Sequence, residues 1–138
     1  MPTTARVVLV SGPPCAGKNY YVARHAGVED VVLDYDAMGA RAYAVAVDQL
    51  ARRANTPERT TWVIRCLPGL ARRAAFVQRI RPDAHVHLVP DRAVLITRAR
   101  RRRPHPGRAV RAVEAWMQAE RGDQGMAGDP TPQVVTQW

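Results

Sequence analysis

A chain of 138 residues with 46% hydrophobic content can bury one core and is too short for two domains. Its formal charge of +9 points to an anionic partner, nucleic acid or nucleotides, or else to a surface that arginine merely solvates. The absence of any run of 18 apolar residues excludes a spanning helix, residues 1–6 lack the blocks of a signal peptide, and Cys15 and Cys66 are too few for a disulfide framework or metal site, so a cytoplasmic domain without a membrane partner is expected.

In chain order, Arg6 to Val10 reads as a first strand, apolar throughout as the centre of a parallel sheet requires. Directly after it comes Ser11-Gly12-Pro13-Pro14-Cys15-Ala16-Gly17-Lys18-Asn19, a G-x4-G-K phosphate-binding loop. Glycines let the backbone turn and approach the ligand, inward amides cradle oxygens, and the lysine reaches the β- and γ-phosphates. Residues 20–26 continue as a helix whose N-terminus faces the anion, so Gly12 to Tyr20 form the expected nucleotide cradle. Of 21 basic residues, Lys18 is the one lysine. A slim ammonium and a planar guanidinium are not interchangeable, which is a physical reason to keep lysine here.

Val31-Val32-Leu33 is a short second strand closed by Asp34-Tyr35-Asp36. Residues just past strand carboxyl ends face the crevice of an open α/β sheet, which would put both acids near the phosphates. Asp34 or Asp36 would orient an acceptor hydroxyl or hold a metal-bound water, and either can instead cap the helix that follows. That helix is expected over residues 37–54, with a stop at Asn55-Thr56-Pro57. A third strand follows at Thr60–Cys66, broken by Pro68-Gly69, and then a helix over Leu70–Ile80 with Arg72, Arg73 and Arg79 on its polar side.

Residues 84–89 make the fourth strand, where His85 and His87 share one face and a structural or solvent-facing role is expected over a metal pair. Asp91 to Thr97 starts a helix that runs into Arg98-Ala99-Arg100-Arg101-Arg102-Arg103. Five arginines bounded by Pro104 and Pro106 suit a lid over anions, placed at about residues 98–107, better than a packed core. The last helix is expected at Arg108–Arg121, followed by a turn-rich, mobile stretch over 122–132 and a short edge strand at Val134-Val135-Thr136. The alternation of strands and helices defines a three-layer α/β/α fold with a mainly parallel sheet of four or five strands, the P-loop NTPase arrangement.

The loop, Leu33-Asp34-Tyr35-Asp36, and Val89-Pro90-Asp91-Arg92 leading to Arg98 and Arg102 resemble the small P-loop kinases of the phage polynucleotide 5′-hydroxyl kinase and zeta-toxin-like group. The resemblance covers about residues 5–121 and is strongest in the loop. It implies a γ-phosphoryl transfer from ATP with Mg²⁺ to a nucleic-acid 5′-hydroxyl or a nucleotide. It makes Lys18, Asp36 as general base, and the lid pair Arg98 and Arg102 the catalytic residues. The loop position usually held by Ser or Thr, whose hydroxyl ligates Mg²⁺, is Asn19, so Asn19 and Asp34 are the candidate metal ligands. Gly39 stands where that family has an arginine, with Arg41, Arg65 and Arg72 as candidates to replace it. A nucleoside-monophosphate kinase and a non-catalytic nucleotide- or nucleic-acid-binding module are the alternatives.

Overall fold

The computed structural model describes residues 6–54, 58–102, 104–122 and 133–134. Its strands are β1 (Arg6–Ser11), β2 (Val31–Asp34), β3 (Thr60–Arg65), β4 (Ala84–Leu88) and β5 (Gln133–Val134). They form one parallel sheet in the order β2-β3-β1-β4-β5. The helices are α1 (Lys18–His25), α2 (Tyr35–Met38), α3 (Ala40–Ala51), α4 (Leu70–Ile80), α5 (Arg92–Arg100) and α6 (Pro106–Gly122).

A central strand must be apolar on both faces, and β1 is: every residue after Arg6 is buried. Period 2 divides its side chains between two cores. Val8 and Val10 pack with Val22 of α1, Leu95, Ile96 and Ala99 of α5, and Val113 of α6. Val7 and Leu9 pack on the opposite face with Tyr43, Val47 and Leu50 of α3 and Ile80 of α4. This is the three-layer α/β/α P-loop fold. The strand order reverses at β1, since β2 and β3 lie to one side and β4 and β5 to the other, so the crevice opens at the carboxyl end of β1. The phosphate loop begins there.

Three expectations change. The helix expected over 37–54 is two, α2 and α3, because Gly39 adopts φ 86, a left-handed conformation that ends one helix and turns the chain into the next. Arg73 does not lie on a polar side of α4. It is 1% exposed, and its guanidinium forms a fork with Glu120 of α6 at 2.9 and 3.2 Å while donating to the Leu67 carbonyl. His85 and His87 share a face as period 2 requires and take the structural one of the two roles expected of them, with His87 buried and His85 half-buried. Finally, α6 begins at Pro106 and not Arg108, because a proline with preset φ is suited to the first helical position.

The edge strand expected at 134–136 is seen at Gln133–Val134, pairing with His87 and Leu88. Asn55-Thr56-Pro57, the stretch over 123–132 and residues 135–136 lie outside the described residues. Among the described residues, no helix is long and apolar enough to cross a membrane.

Candidate phosphate-binding cleft

The loop leaves β1 through Gly12, at φ 147, and passes so close to β4 that a Cβ there would stand 2.3 Å from the Leu88 carbonyl oxygen. Any larger residue would drive the loop away from the sheet. Ala16 donates its N–H to the Pro13 carbonyl at 3.2 Å, and Gly17 caps α1 at φ 91. Lys18 opens that helix. Its ammonium folds back over the loop mouth, donating to the carbonyls of Pro13 at 2.7 Å and Gly12 at 3.0 Å, with the Cys66 sulfur at 3.6 Å.

The foot of the loop is tied from β4. Ser11, fully buried, places its Oγ 2.7 Å from His85 Nε2 and 2.8 Å from His87 Nδ1. One hydroxyl has one proton, so it donates to one ring and accepts from the other. The shared period-2 face was legible in the sequence, but its target was not.

The side of the loop is held from α5. Arg98 lies in the body of that helix, and its Nη1 donates to the Cys15 carbonyl at 3.0 Å. Cys15 itself has φ 67, so this contact steadies a left-handed residue. Desolvation lowers the pKa of the Arg98 guanidinium, opposed by its charge interaction with Cys15. Arg102 lies beyond the end of α5 and is exposed. Cys15, Gly17, Tyr20, Arg98 and Arg102 line a recess of about 400 Å³ beside the loop.

A larger cleft of about 610 Å³ joins the loop, from Pro14 to Tyr20, to Asp34, Asp36, Cys66 and Arg102. Asp34 ends β2, and its Oδ1 accepts from the Asp36 N–H at 3.1 Å, capping α2. The Asp36 carboxylate has no partner among the described residues. Of the two roles open to these acids, Asp34 therefore takes the cap. Asn19, Asp34 and Asp36 share the cleft, although the described residues contain no group of three or more His, Cys, Asp or Glu able to hold a metal ion.

The loop after β3 is locked by α6. Trp116 Nε1 donates to the Cys66 carbonyl at 3.0 Å, and Glu120 accepts from the Gly69 N–H at 2.8 Å as well as from Arg73. On the same helix, Arg108, Ala109 and Ala112 line the cleft, together with His105 just before it. These positions recur at helical spacing, which was a legible signal. The lid expected at about residues 98–107 includes His105 and stops short of Arg108.

Arg41, Arg65 and Arg72 do not line this cleft. Arg65 stacks over Tyr35 and Tyr43, with guanidinium-to-ring distances of 4.7 and 5.4 Å. Burial pushes the Tyr43 hydroxyl up to about 12, and it donates to the Ile64 carbonyl. Arg41 lines a separate hollow with Met38 and Gly39, and Arg72 is exposed on α4.

No protein-family model matches this sequence, and no curated protein sequence is similar to it. Among solved structures, the chain is similar to a sugar kinase from Janibacter sp. HTCC2649, with TM-score 0.55 and 15% identity over 96% of this chain and 84% of that one. It is also similar to the tunicamycin resistance protein of Deinococcus radiodurans, with TM-score 0.58 and 16% identity over 96% of this chain and 86% of that one. At these identities the likeness is one of fold.

Proposed function

We propose that this protein is an ATP-dependent phosphotransferase that moves the γ-phosphoryl to a nucleic-acid 5′-hydroxyl or to a nucleotide, as its resemblance to the small polynucleotide kinases implies. One observation carries the reading: the phosphate loop, an aspartate with an unengaged carboxylate and a cation beyond α5 converge on a single cleft of about 610 Å³. Phosphoryl transfer needs little more than positioning and charge neutralisation, and these groups supply both.

The loop amides hold the β- and γ-phosphates of ATP, and Lys18 exchanges the Gly12 and Pro13 carbonyls for phosphate oxygens. Asp36 accepts the proton of the attacking hydroxyl, a role worth roughly 10²- to 10⁴-fold in rate. Arg102 neutralises the charge that builds on the transferring group, and Arg98 keeps the loop in place from behind. Mg²⁺, held by Asn19 and through water by Asp34, would supply charge neutralisation between the phosphates.

A binding module without turnover is the second reading. It is favoured by Asn19 in the loop and by the engagement of Asp34 as a helix cap. The deciding experiment is transfer of γ-labelled phosphate from Mg·ATP to a 5′-hydroxyl oligonucleotide and to a nucleoside-monophosphate panel, with Lys18→Ala as control. Label that disappears in the control establishes the kinase and its acceptor class. Measurable ATP binding with no label on any acceptor leaves the binding module.

A further inference from the structure

The arginines of this chain divide by what they touch. Arg73 is committed to Glu120, Arg92 to Glu114, Arg98 to the Cys15 carbonyl and Arg65 to two tyrosine rings. The side chains of Arg102 and Arg108, by contrast, have no hydrogen-bond or ion-pair partner among the described residues, and both line the cleft. No acid lies between Asp91 and Glu114, so nothing nearby in sequence offsets them.

The two arginines are not equivalent. Arg102 also lines the 400 Å³ recess with Gly17 and Tyr20, which puts it on the side of the loop ligand. Arg108 and His105 line only the larger cleft, the one that contains Asp34 and Asp36. An acceptor hydroxyl presented to Asp36 would bring any phosphate it carries toward two carboxylates. Like charges at such range repel unless a cation intervenes.

We infer that Arg108, assisted by His105, forms an anion subsite on the acceptor side of the cleft, which binds a phosphate ester carried by the acceptor itself. The inference rests on the phosphotransferase reading for the word acceptor, but the subsite stands on the cleft alone. Its ligand chemistry is a phosphate ester next to a sugar hydroxyl. That chemistry can come from a phosphodiester in a polymer or from a phosphomonoester in a free nucleotide. An arginine fork meets either one bidentately.

The test compares three probes on the full chain: a 5′-hydroxyl thymidine dinucleotide, thymidine 3′-monophosphate and uncharged thymidine. Each is measured for transfer and for equilibrium binding, in wild type, Arg108→Ala and Arg111→Ala. Arg111 is an exposed arginine of the same helix that does not line the cleft, so its loss removes equal charge. The expected result is a rise in KM and Kd for one charged probe, on the order of ten- to a hundredfold, in Arg108→Ala alone. Thymidine binding and the KM for ATP should stay within about twofold, since no phosphate–guanidinium bond is lost there.

Whichever charged probe shows the loss names the source of the phosphate. An equal loss in Arg111→Ala would overturn the subsite in favour of general charge. A rise in the KM for ATP with acceptor affinity unchanged would overturn it too, placing Arg108 with the donor. If wild type transfers to no probe, the phosphotransferase reading fails while the Kd comparison still decides the subsite. Unchanged Kd values in Arg108→Ala would then reject it.

Discussion

Arg98 Nη1 lies 3.0 Å from the carbonyl oxygen of Cys15, a contact across 83 positions of sequence that joins the arginine-rich segment to the phosphate loop. Arg98, expected in a lid that closes over a ligand, lies in the body of α5, where it braces the loop backbone and lines the recess beside it. Replacing Arg98 by alanine should lower stability by about 1–2 kcal/mol and weaken ATP binding through a looser loop. A thermal melt and a fluorescent-ATP titration check both halves. Weakened binding with an unshifted melt would make Arg98 a ligand contact and not a brace.

Lys18 is bonded to the Gly12 and Pro13 carbonyls, so its ammonium already stands at the loop mouth. Lys18→Ala should reduce ATP affinity by about tenfold or more, the loss expected for a charge-assisted contact. Lys18→Arg should fail to restore it, because a planar fork does not replace a compact three-donor head in a tight loop. Equilibrium titration with a fluorescent ATP analogue measures both variants.

Asp34 and Asp36 should separate by readout. Asp34 caps α2, so Asp34→Ala should cost about 1 kcal/mol of stability, read by chemical denaturation. Asp36→Asn removes no side-chain contact among the described residues, so stability and ATP binding should persist while transfer to a hydroxyl falls by roughly 10²-fold or more. Retained transfer in Asp36→Asn would favour a monophosphate acceptor, which brings its own nucleophilic oxygen.

Glu120 is the partner of a guanidinium that is 1% exposed. Glu120→Ala would leave that charge buried and uncompensated, at a cost of about 3–5 kcal/mol. Replacing both residues by apolar ones of similar volume should recover most of the loss, since burying two charges is itself costly. Denaturation midpoints of the single and double variants test this. A single variant as stable as wild type would mean that water reaches Arg73.

Much of the frame was legible before folding. A run of apolar β-type residues followed by a glycine loop and one lysine announces strand, cradle and helix, and the helix at Leu70–Ile80 matches its expected bounds. The break at Gly39 was less legible, because alanine-rich sequence on both sides continues a helical pattern that only a positive φ interrupts.

What the sequence determined by itself is local: which segments alternate between strand and helix, where glycines let the backbone turn after β1, and that one lysine stands there. Local periodicity carries that information, since it depends on neighbours three or four positions away. Only the tertiary structure decided which charges are brace, cap or site. Arg73, Arg98 and Arg108 are the same residue type on three similar helices. They differ because Glu120, the Cys15 carbonyl and an open cleft lie opposite them, partners that helix packing brings from 47 and 83 positions away in the first two cases.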